Sequence, residues 1–110
     1  MEKEYRVKKS QEIENILANK NKVGSKNFTI YQKNNETNHY RLAISVSKKC
    51  GNAVIRNRHK RRIREIIRHQ SLLDCDIFII AKISSTELTF SEMEKEILYL
   101  LRKGNLIKKQ

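Results

Sequence analysis

The strongest constraint on the fold of this chain is the charge of residues 48–68, where nine Lys and Arg side chains accompany a single acidic one. The whole chain of 110 residues has a net charge of +12, so this short segment carries two thirds of it. Residues 69–110, by contrast, hold equal numbers of acidic and basic side chains. Like charges at this density repel one another unless a polyanion neutralises them. The pattern therefore predicts a nucleic-acid partner.

Two other interpretations of the basic segment stay open on charge alone. A dense Lys/Arg surface is sometimes a solvated face without a partner, and it is sometimes a surface that adsorbs to anionic membranes. Residues 48–68 contain no Trp, Tyr or Phe, whereas helices that lie in a membrane interface use bulky aromatic anchors. We therefore favour nucleic acid over both alternatives.

The basic segment is predicted to be a helix. Asn52 follows Gly51 and is a good N-cap for a helix that extends to about residue 69. At 100° per residue, two separate stripes emerge. The apolar stripe consists of Ile55, Ile63, Ile66 and Ile67. The polar stripe consists of Asn57, Arg61, Arg64 and Arg68. One face is thus predicted to pack on a core and the other to contact phosphates. His59 is expected at the edge of the core. Arg56 falls nearer the apolar stripe than the polar one.

The rest of the chain predicts alternating helices and strands. A first helix is capped by Ser10, and its apolar face holds Ile13, Ile16 and Leu17. A short strand is expected around Val23. Residues 28–32 and 40–47 are strand candidates, and the polar residues 33–38 between them predict an antiparallel pair.

The C-terminal part completes the pattern. Residues 77–81 are almost continuously apolar, which predicts a buried central strand. Ser91 and Glu94 have the spacing of a capping box that opens a final amphipathic helix, and Gly104 is its expected end. The order is helix, two or three strands, basic helix, strand, helix, which indicates a small α+β sandwich. We expect residues 1–110 to be one domain.

Several functional classes are disfavoured by what the sequence lacks. Cys50 and Cys75 lie far apart with no CxxC spacing, so two reduced thiols are expected and no metal site. The acidic residues are scattered, which predicts no catalytic carboxylate cluster. The sequence has no apolar run of signal-peptide or membrane-span length, so we expect a cytoplasmic protein.

Residues 45–65, SVSKKCGNAVIRNRHKRRIRE, closely resemble the signature of the bacterial ribonuclease P protein subunit. The match includes the SVSKK strand end, the GNAV turn into the helix and the triplet Arg56, Asn57 and Arg58, followed by Lys60, Arg61 and Arg64. The rest of the chain resembles the family in order, from YRVKKS near the start to the strand that ends in IIAK and the final helix.

The resemblance implies a fold and a division of labour. The implied fold is αβββαβα with a small mixed sheet and a left-handed crossover through the basic helix. In the family, the RNA subunit performs the hydrolysis with Mg²⁺, which is held mainly by RNA and substrate, and the protein has no catalytic residue. The protein binds the catalytic RNA and the 5′ leader of precursor tRNA. The implied partners are therefore the ribonuclease P RNA and that leader, with no membrane and no DNA.

The resemblance also implies two sets of binding residues. Contact with RNA is expected from Lys48, Lys49, Asn52, Arg56, Asn57, Arg58, Lys60, Arg61, Arg64 and Arg68. The leader cleft is expected to hold Ile13, Leu17, Thr29 and Tyr31. Tyr31 lies opposite Phe28 and Ile30 by strand alternation, so its ring is expected to be available to a base. At Ile13 and Leu17 the family usually has phenylalanine, so these two residues are expected to give apolar contact or core packing, with no stacking.

Three other functions fit parts of the sequence less well. Composition alone also fits a structural or ribosome-associated RNA-binding protein. A DNA reader would place the basic helix in a major groove, but a strand and Gly51 precede that helix where a short helix and a tight turn are expected. A self-sufficient nuclease is the least favoured, because the sequence offers no carboxylate cluster.

Overall fold

The computed structural model describes residues 5–108, which contain three α-helices and a four-stranded sheet. The elements in chain order are α1 (Ser10–Ala18), β1 (Lys22–Gly24), β2 (Phe28–Asn34), β3 (Arg41–Val46), α2 (Ala53–Arg68), β4 (Cys75–Ala81) and α3 (Phe90–Lys103). Short 3-10 turns follow β3 at Lys48–Cys50 and β4 at Ile83–Glu87. The predicted αβββαβα class is confirmed, while the handedness of the crossover through α2 stays a prediction.

Strand β4 lies inside the sheet, whose order is β1-β2-β4-β3. It pairs antiparallel with β2, with Ile79 opposite Ile30, and parallel with β3, with Ile79 opposite Ile44. The prediction that residues 28–32 and 40–47 pair directly is wrong, because β4 lies between them. An apolar strand is best satisfied with a hydrogen-bonded neighbour on each edge, and the polar connection at residues 33–38 is compatible with either arrangement.

The main core lies between one face of the sheet and helices α2 and α3. The sheet contributes Phe28, Ile30, Leu42, Ile77 and Ile79. The helices contribute Ile63, Ile66, Ile67, Met93, Ile97, Leu100 and Leu101. The apolar stripe of α2 is confirmed at its last three positions, whereas Ile55 is 44% exposed. Ile55 lies in the first turn of α2 and packs against Gly51, where an added Cβ would come within 3.0 Å of it.

Two of the three predicted helix starts need correction. Helix α1 begins at Ser10, with Lys9 as its N-cap and no side-chain cap. The capping box of α3 is formed by Thr89 and Glu92, two residues before the predicted pair. Both pairs have the same spacing, so the sequence pattern could not separate them. The predicted end of α3 at Gly104 is confirmed.

An ion-pair network holds α1 on the opposite face of the sheet. The Arg41 guanidinium donates to both carboxylate oxygens of Asp76 at 2.8 and 2.7 Å, and its Nη2 also donates to Glu12 of α1 at 2.6 Å. Asn35 donates to Asp76 at 2.8 Å. Asp76 is 6% exposed, so these hydrogen bonds and ion pairs replace the water contacts that its carboxylate loses on burial. Arg41 thereby joins β3, β4 and α1.

We expect Arg41→Leu to lower the free energy of unfolding by about 3 kcal/mol, because it leaves the Asp76 carboxylate buried without a counter-charge. Glu12→Gln is the matched variant, since it removes the more exposed carboxylate of the network and should cost about 1 kcal/mol or less. Urea denaturation of both variants measures the difference. Equal losses of stability would show that Arg41 does not offset the burial of Asp76.

Candidate nucleic-acid interface

The start of α2 is determined by two residues. The Asn52 side chain accepts a hydrogen bond from the Ile55 backbone N–H at 3.0 Å and caps the helix as predicted. Gly51 has φ +145°, a conformation that side-chain-bearing residues rarely adopt, and it lies against Ile55. A residue other than glycine would be strained at this turn. The two residues thus orient the basic helix relative to the end of β3.

The outward face of α2 carries an almost uninterrupted row of positive side chains. The exposed polar and basic side chains on this helix are Asn57, Arg58, Arg61, Arg62 and Arg68. Sequence reasoning did not select Arg62, although its neighbours Lys60 and Arg61 were selected and its own position is clear of the apolar stripe. Such a surface suits charge-assisted contacts to phosphate oxygens.

Arg68 differs from the other exposed arginines because it has an acidic neighbour. Glu65 lies 3.7 Å from Arg68 and accepts a hydrogen bond from His69 at 2.9 Å. The hydrogen bond from His69 and the positive charge of Arg68 hold the pKa of Glu65 below its usual range. The negative charge of Glu65 therefore reduces the positive potential at the C-terminal end of α2.

Lys48 and Lys49 extend the basic surface beyond the helix. Both are exposed on the 3-10 turn that follows β3. The Ser47 hydroxyl accepts a hydrogen bond from the Lys49 backbone N–H at 3.2 Å and stabilises that turn. Arg56, in contrast, donates from Nε to the Gly51 carbonyl at 3.2 Å. This hydrogen bond connects α2 to the turn that precedes it.

An open cleft of about 390 Å³ lies beside α2, and we call it the basic cleft. Its positive lining comes from Arg6, Lys8, Lys60 and Arg64. Its apolar lining includes Ile13 of α1 and Ala43 and Phe78 of the sheet. Arg6 and Lys8 were not selected from the sequence, because nothing in their spacing relates them to α2. Arg64, which the sequence places on the polar stripe with Asn57, Arg61 and Arg68, is half-buried at this cleft, whereas the other three are exposed.

The four residues predicted for a leader cleft are only partly brought together. Ile13 and Tyr31 pack on one apolar cluster, which is built around Val7, Ile16 and Phe78. Tyr31 lies on the sheet face opposite Phe28 and Ile30, as alternation predicted. Leu17 is 37% exposed on α1 and Thr29 lies farther along β2, so neither belongs to that cluster.

The Tyr31 ring has a positive neighbour. Lys22 lies directly across from Tyr31 on β1, and its Nζ is 5.7 Å from the ring centroid. This distance is within the range of a cation–π interaction. An aromatic face next to a lysine is a combination that can hold a base and its phosphate together.

His59 is buried at the core side of α2, as expected. Its Nε2 lies 2.8 Å from the Ser85 hydroxyl, which donates its own hydrogen to the Lys82 carbonyl at 2.6 Å. The Ser85 oxygen must therefore accept from His59, so the imidazole carries its hydrogen on Nε2. Burial, with a smaller contribution from the positive charge of Arg62, lowers the pKa of His59 below its ordinary value of 6.5.

The described part of the chain offers neither a metal site nor a membrane span. Within residues 5–108, no three His, Cys, Asp or Glu side chains are grouped so that they could hold a metal ion. No helix in the same residues is long and apolar enough to cross a bilayer.

Cys75 is buried, and burial with the nearby carboxylates of Asp76 and Asp74 raises the pKa of its thiol to about 11.

The lowered pKa of His59 predicts a pH-dependent stability. In the unfolded chain His59 takes up a proton near pH 6.5, whereas in the folded chain it takes up that proton only at lower pH. The free energy of unfolding therefore falls as the pH drops below 6.5. The loss continues until the pH reaches the folded-state pKa, with a slope of at most about 1.4 kcal/mol per pH unit. His59→Leu should lack this contribution. Urea denaturation of both proteins from about pH 7.5 down to about pH 5 tests this, and a constant difference in stability would contradict it.

Comparison with known protein families gives a match over nearly the whole chain. The family model described as Ribonuclease P matches residues 1–105. A ribonuclease P protein component of Macrococcus caseolyticus is 45% identical over 105 residues, covering 93% of this chain and 91% of its own length. One from Streptococcus agalactiae is 39% identical over 109 residues, covering 97% of this chain and all of its own.

Solved structures give the same result at the level of the fold. A variant of the Staphylococcus aureus RNase P protein, described as defective in mRNA degradation, has a TM-score of 0.89 and 36% identity over 97% of this chain and 93% of its own. The Thermotoga maritima RNase P protein has a TM-score of 0.81 and 25% identity over 89% of this chain and 96% of its own.

Proposed function

The chain belongs to the bacterial ribonuclease P protein family, whose role is in tRNA processing, and on that premise we propose that it binds the catalytic RNA of ribonuclease P and the 5′ leader of precursor tRNA. The observation that carries the proposal is the exposed basic face of α2 beside an open cleft with an apolar floor. The first surface suits a folded RNA and the second suits a single strand.

The exposed face of α2 is the proposed contact with the RNA subunit. Phosphate contacts supply most of the affinity in such complexes and orient the protein on the nucleic acid. Arg58 and Arg61 are exposed and have no ion-pair partner among residues 5–108. Their guanidinium groups are therefore available to phosphates without first breaking a contact within the described chain. Lys48 and Lys49 extend this proposed surface at one end.

Hydrolysis in the holoenzyme is proposed to belong to the RNA subunit with Mg²⁺. Hard divalent ions need several oxygen ligands, and residues 5–108 offer no grouped set of carboxylates that fits one. The protein's own contribution is to hold the RNA subunit and the leader in place by charge and by apolar contact. The proposed compartment is the cytoplasm.

We expect RNA-free protein not to cleave precursor tRNA, and to restore cleavage by its RNA subunit at Mg²⁺ concentrations where that RNA alone is slow. The physical reason is that bound positive charge replaces part of the screening that Mg²⁺ provides between two polyanions. The measurement is leader release by protein, RNA and the reconstituted complex across a Mg²⁺ titration. Robust cleavage by protein that has been treated with nuclease to remove RNA would contradict the proposal. A variant with fewer positive charges on α2 is the control, because cleavage that this variant retains cannot come from RNA bound to α2.

Tyr31→Ala should weaken holoenzyme binding to precursor tRNA with a leader of several nucleotides and leave mature tRNA binding nearly unchanged. Stacking of one base on an aromatic ring is worth about 1 to 3 kcal/mol, which corresponds to about fivefold or more in affinity. Tyr31→Phe is the matched control, because it keeps the ring and should bind like the unmodified protein.

The Ala variant also removes packing against Ile13 and the cluster beneath it, so its melting temperature must be measured on the same samples. If Tyr31 serves only to pack α1, both ligands will be bound more weakly by the same factor. That result would contradict a contact between Tyr31 and the leader.

A further inference from the structure

The chain turns sharply where α3 ends. The backbone N–H of Leu106 donates to the Leu101 carbonyl at 2.9 Å, and that of Asn105 donates to the Arg102 carbonyl at 3.0 Å, which is the hydrogen-bond pattern of a Schellman motif. Asn105 has φ +56°, in the left-handed region that asparagine adopts more readily than most residues. Leu106 is buried, so the core fixes this turn and directs the residues after it back across the protein.

The segment after the turn pairs with the loop between α2 and β4. The backbone N–H of Leu73 donates to the Leu106 carbonyl at 2.8 Å, and that of Lys108 donates to the Ser71 carbonyl at 2.8 Å. The pairing is antiparallel. Because the residues that follow α3 pair with the loop that follows α2, both helices end on the same side of the molecule.

An open pocket of about 510 Å³ lies beside this pairing, and we call it the helix-end pocket. Its apolar lining comes from Leu73, which is 42% exposed, and from Ile107. Its polar lining comes from Arg102, Asn105 and Lys108, whose side chains are all exposed. Pockets for small ligands have this volume and combine apolar walls with a few polar groups. The helix-end pocket can therefore hold a flat apolar ring together with an anionic group.

The polar groups of the helix-end pocket are available to a ligand. Arg102 forms no ion pair with any residue between 5 and 108, and its planar guanidinium can donate to two phosphate oxygens. Lys108 Nζ lies 3.9 Å from the Asp74 carboxylate, but both side chains are exposed, so a phosphate can replace this weak pair. The Asn105 amide offers both a donor and an acceptor to the edge of a base.

An exposed aromatic ring continues this site along α3. Tyr99 lies one turn before Arg102 and is 57% exposed. Lys103 Nζ lies 5.9 Å from the centroid of the Tyr99 ring, so a further positive charge accompanies it. A ring and a cation next to the pocket provide a place for a second base and its phosphate. The site as a whole therefore suits consecutive nucleotides of a single strand better than one free nucleotide.

The exposed basic face of α2 leads toward the helix-end pocket. Arg68 is the last residue of α2, and Leu73 belongs to the loop that follows it. An RNA that is bound on the exposed face of α2 can thus reach the pocket along the protein surface. Such a tethered strand has a high effective concentration at the pocket, which offsets the weakness of exposed contacts.

We propose that the helix-end pocket binds an unpaired nucleotide of the ribonuclease P RNA, with its base on Leu73 and Ile107 and its phosphate on Arg102. This inference rests on the proposed function, because it requires the RNA subunit to occupy the exposed face of α2. Asn105 hydrogen-bonds the edge of the base, and Tyr99 stacks on the base next to it. The pocket thereby adds a contact to a base where the face of α2 contacts phosphates.

The test uses three single variants of the 110-residue protein. Asn105→Asp keeps the size of the side chain and the left-handed backbone, which aspartate also adopts, and it adds a negative charge to the pocket. Arg102→Gln removes the phosphate contact. Lys95→Gln is the matched control, because it removes the same charge from an exposed position on α3 that does not line the pocket. Circular dichroism and urea denaturation should show that all three variants fold, since the three side chains are exposed.

We expect Asn105→Asp and Arg102→Gln each to weaken binding to the RNA subunit by about fivefold or more, and Lys95→Gln to weaken it by less than about twofold. Arg102→Gln should also flatten the salt dependence by about 0.7 in log–log slope, the value for one phosphate of a single strand. Equal losses of affinity in Arg102→Gln and Lys95→Gln would show an effect of net charge alone and would overturn the inference.

Chemical probing of the RNA subunit tests the contact to a base directly. Reagents that modify the base-pairing edges of unpaired bases are applied to the RNA with saturating protein. We expect the unmodified protein to protect an unpaired nucleotide that becomes reactive with Asn105→Asp and stays protected with Arg58→Gln, Arg61→Gln. Identical protection by the unmodified protein and Asn105→Asp would overturn the inference, as it would if the pocket instead received an acidic protein segment.

The double variant Arg58→Gln, Arg61→Gln separates this inference from the proposed function. If that variant binds the RNA subunit more weakly while Asn105→Asp and Arg102→Gln bind it normally, the helix-end pocket is wrong and the proposed function stands. If the unmodified protein binds the RNA subunit no more tightly than an unrelated RNA of the same length, the proposed function fails and the helix-end pocket fails with it.

Discussion

The pairing of β4 with β3 is the interaction on which the rest of the structure depends. These two strands are parallel neighbours, and parallel strands that follow one another need a long connection to return the chain to the same end of the sheet. Helix α2 provides that connection. The segment with two thirds of the net charge is therefore also the segment that covers the sheet, and it has to satisfy both demands with one helix.

Helix α2 covers the sheet and carries the charge by placing its apolar and its basic side chains on different sides of the helix axis. Ile63, Ile66 and Ile67 are fully buried, and each buried side chain of this size contributes about 1.5–3 kcal/mol. That burial orients the helix on the sheet and offsets the repulsion among its charges. Because the apolar stripe determines the rotation of the helix, it also determines which arginines face the cleft and which face outward. Packing in the core thus determines the direction in which the basic side chains of α2 point.

The basic cleft depends on two tertiary contacts outside α2. The N-terminal arm, residues 5–9, has to lie along β3, and α1 has to be held on the sheet by the network around Arg41. Both attachments use β3, which is an edge strand with one side available. Pairing of the arm with that side also covers part of an otherwise open strand edge. The cleft is therefore a consequence of the sheet order, and a hairpin of β2 and β3 would not produce it.

Most of the elements could be predicted from the sequence, because helix periodicity and strand alternation are local. The buried strand was predicted at residues 77–81 and extends over Cys75–Ala81, and the long basic helix was predicted as well, as was the side of β2 on which Tyr31 lies. The pairing of strands could not be predicted, because a polar connection permits a hairpin as readily as a separation by a third strand. The order of the strands depends on covering both edges of β4, whose residues lie 35 positions along the chain from their partners in β3.

The features of the candidate site can likewise be divided into those that the sequence predicts and those that only the tertiary structure brings together. The sequence by itself determined the basic helix, its apolar stripe and the buried position of His59, because these follow from residue spacing along one helix. Only the tertiary structure decided that Arg6 and Lys8 share a cleft with Lys60 and Arg64, and that Arg64 turns inward while Arg61 stays exposed. The physical reason is that these neighbours come from segments more than 50 residues apart, and they meet only after the N-terminal arm has paired with the free edge of β3.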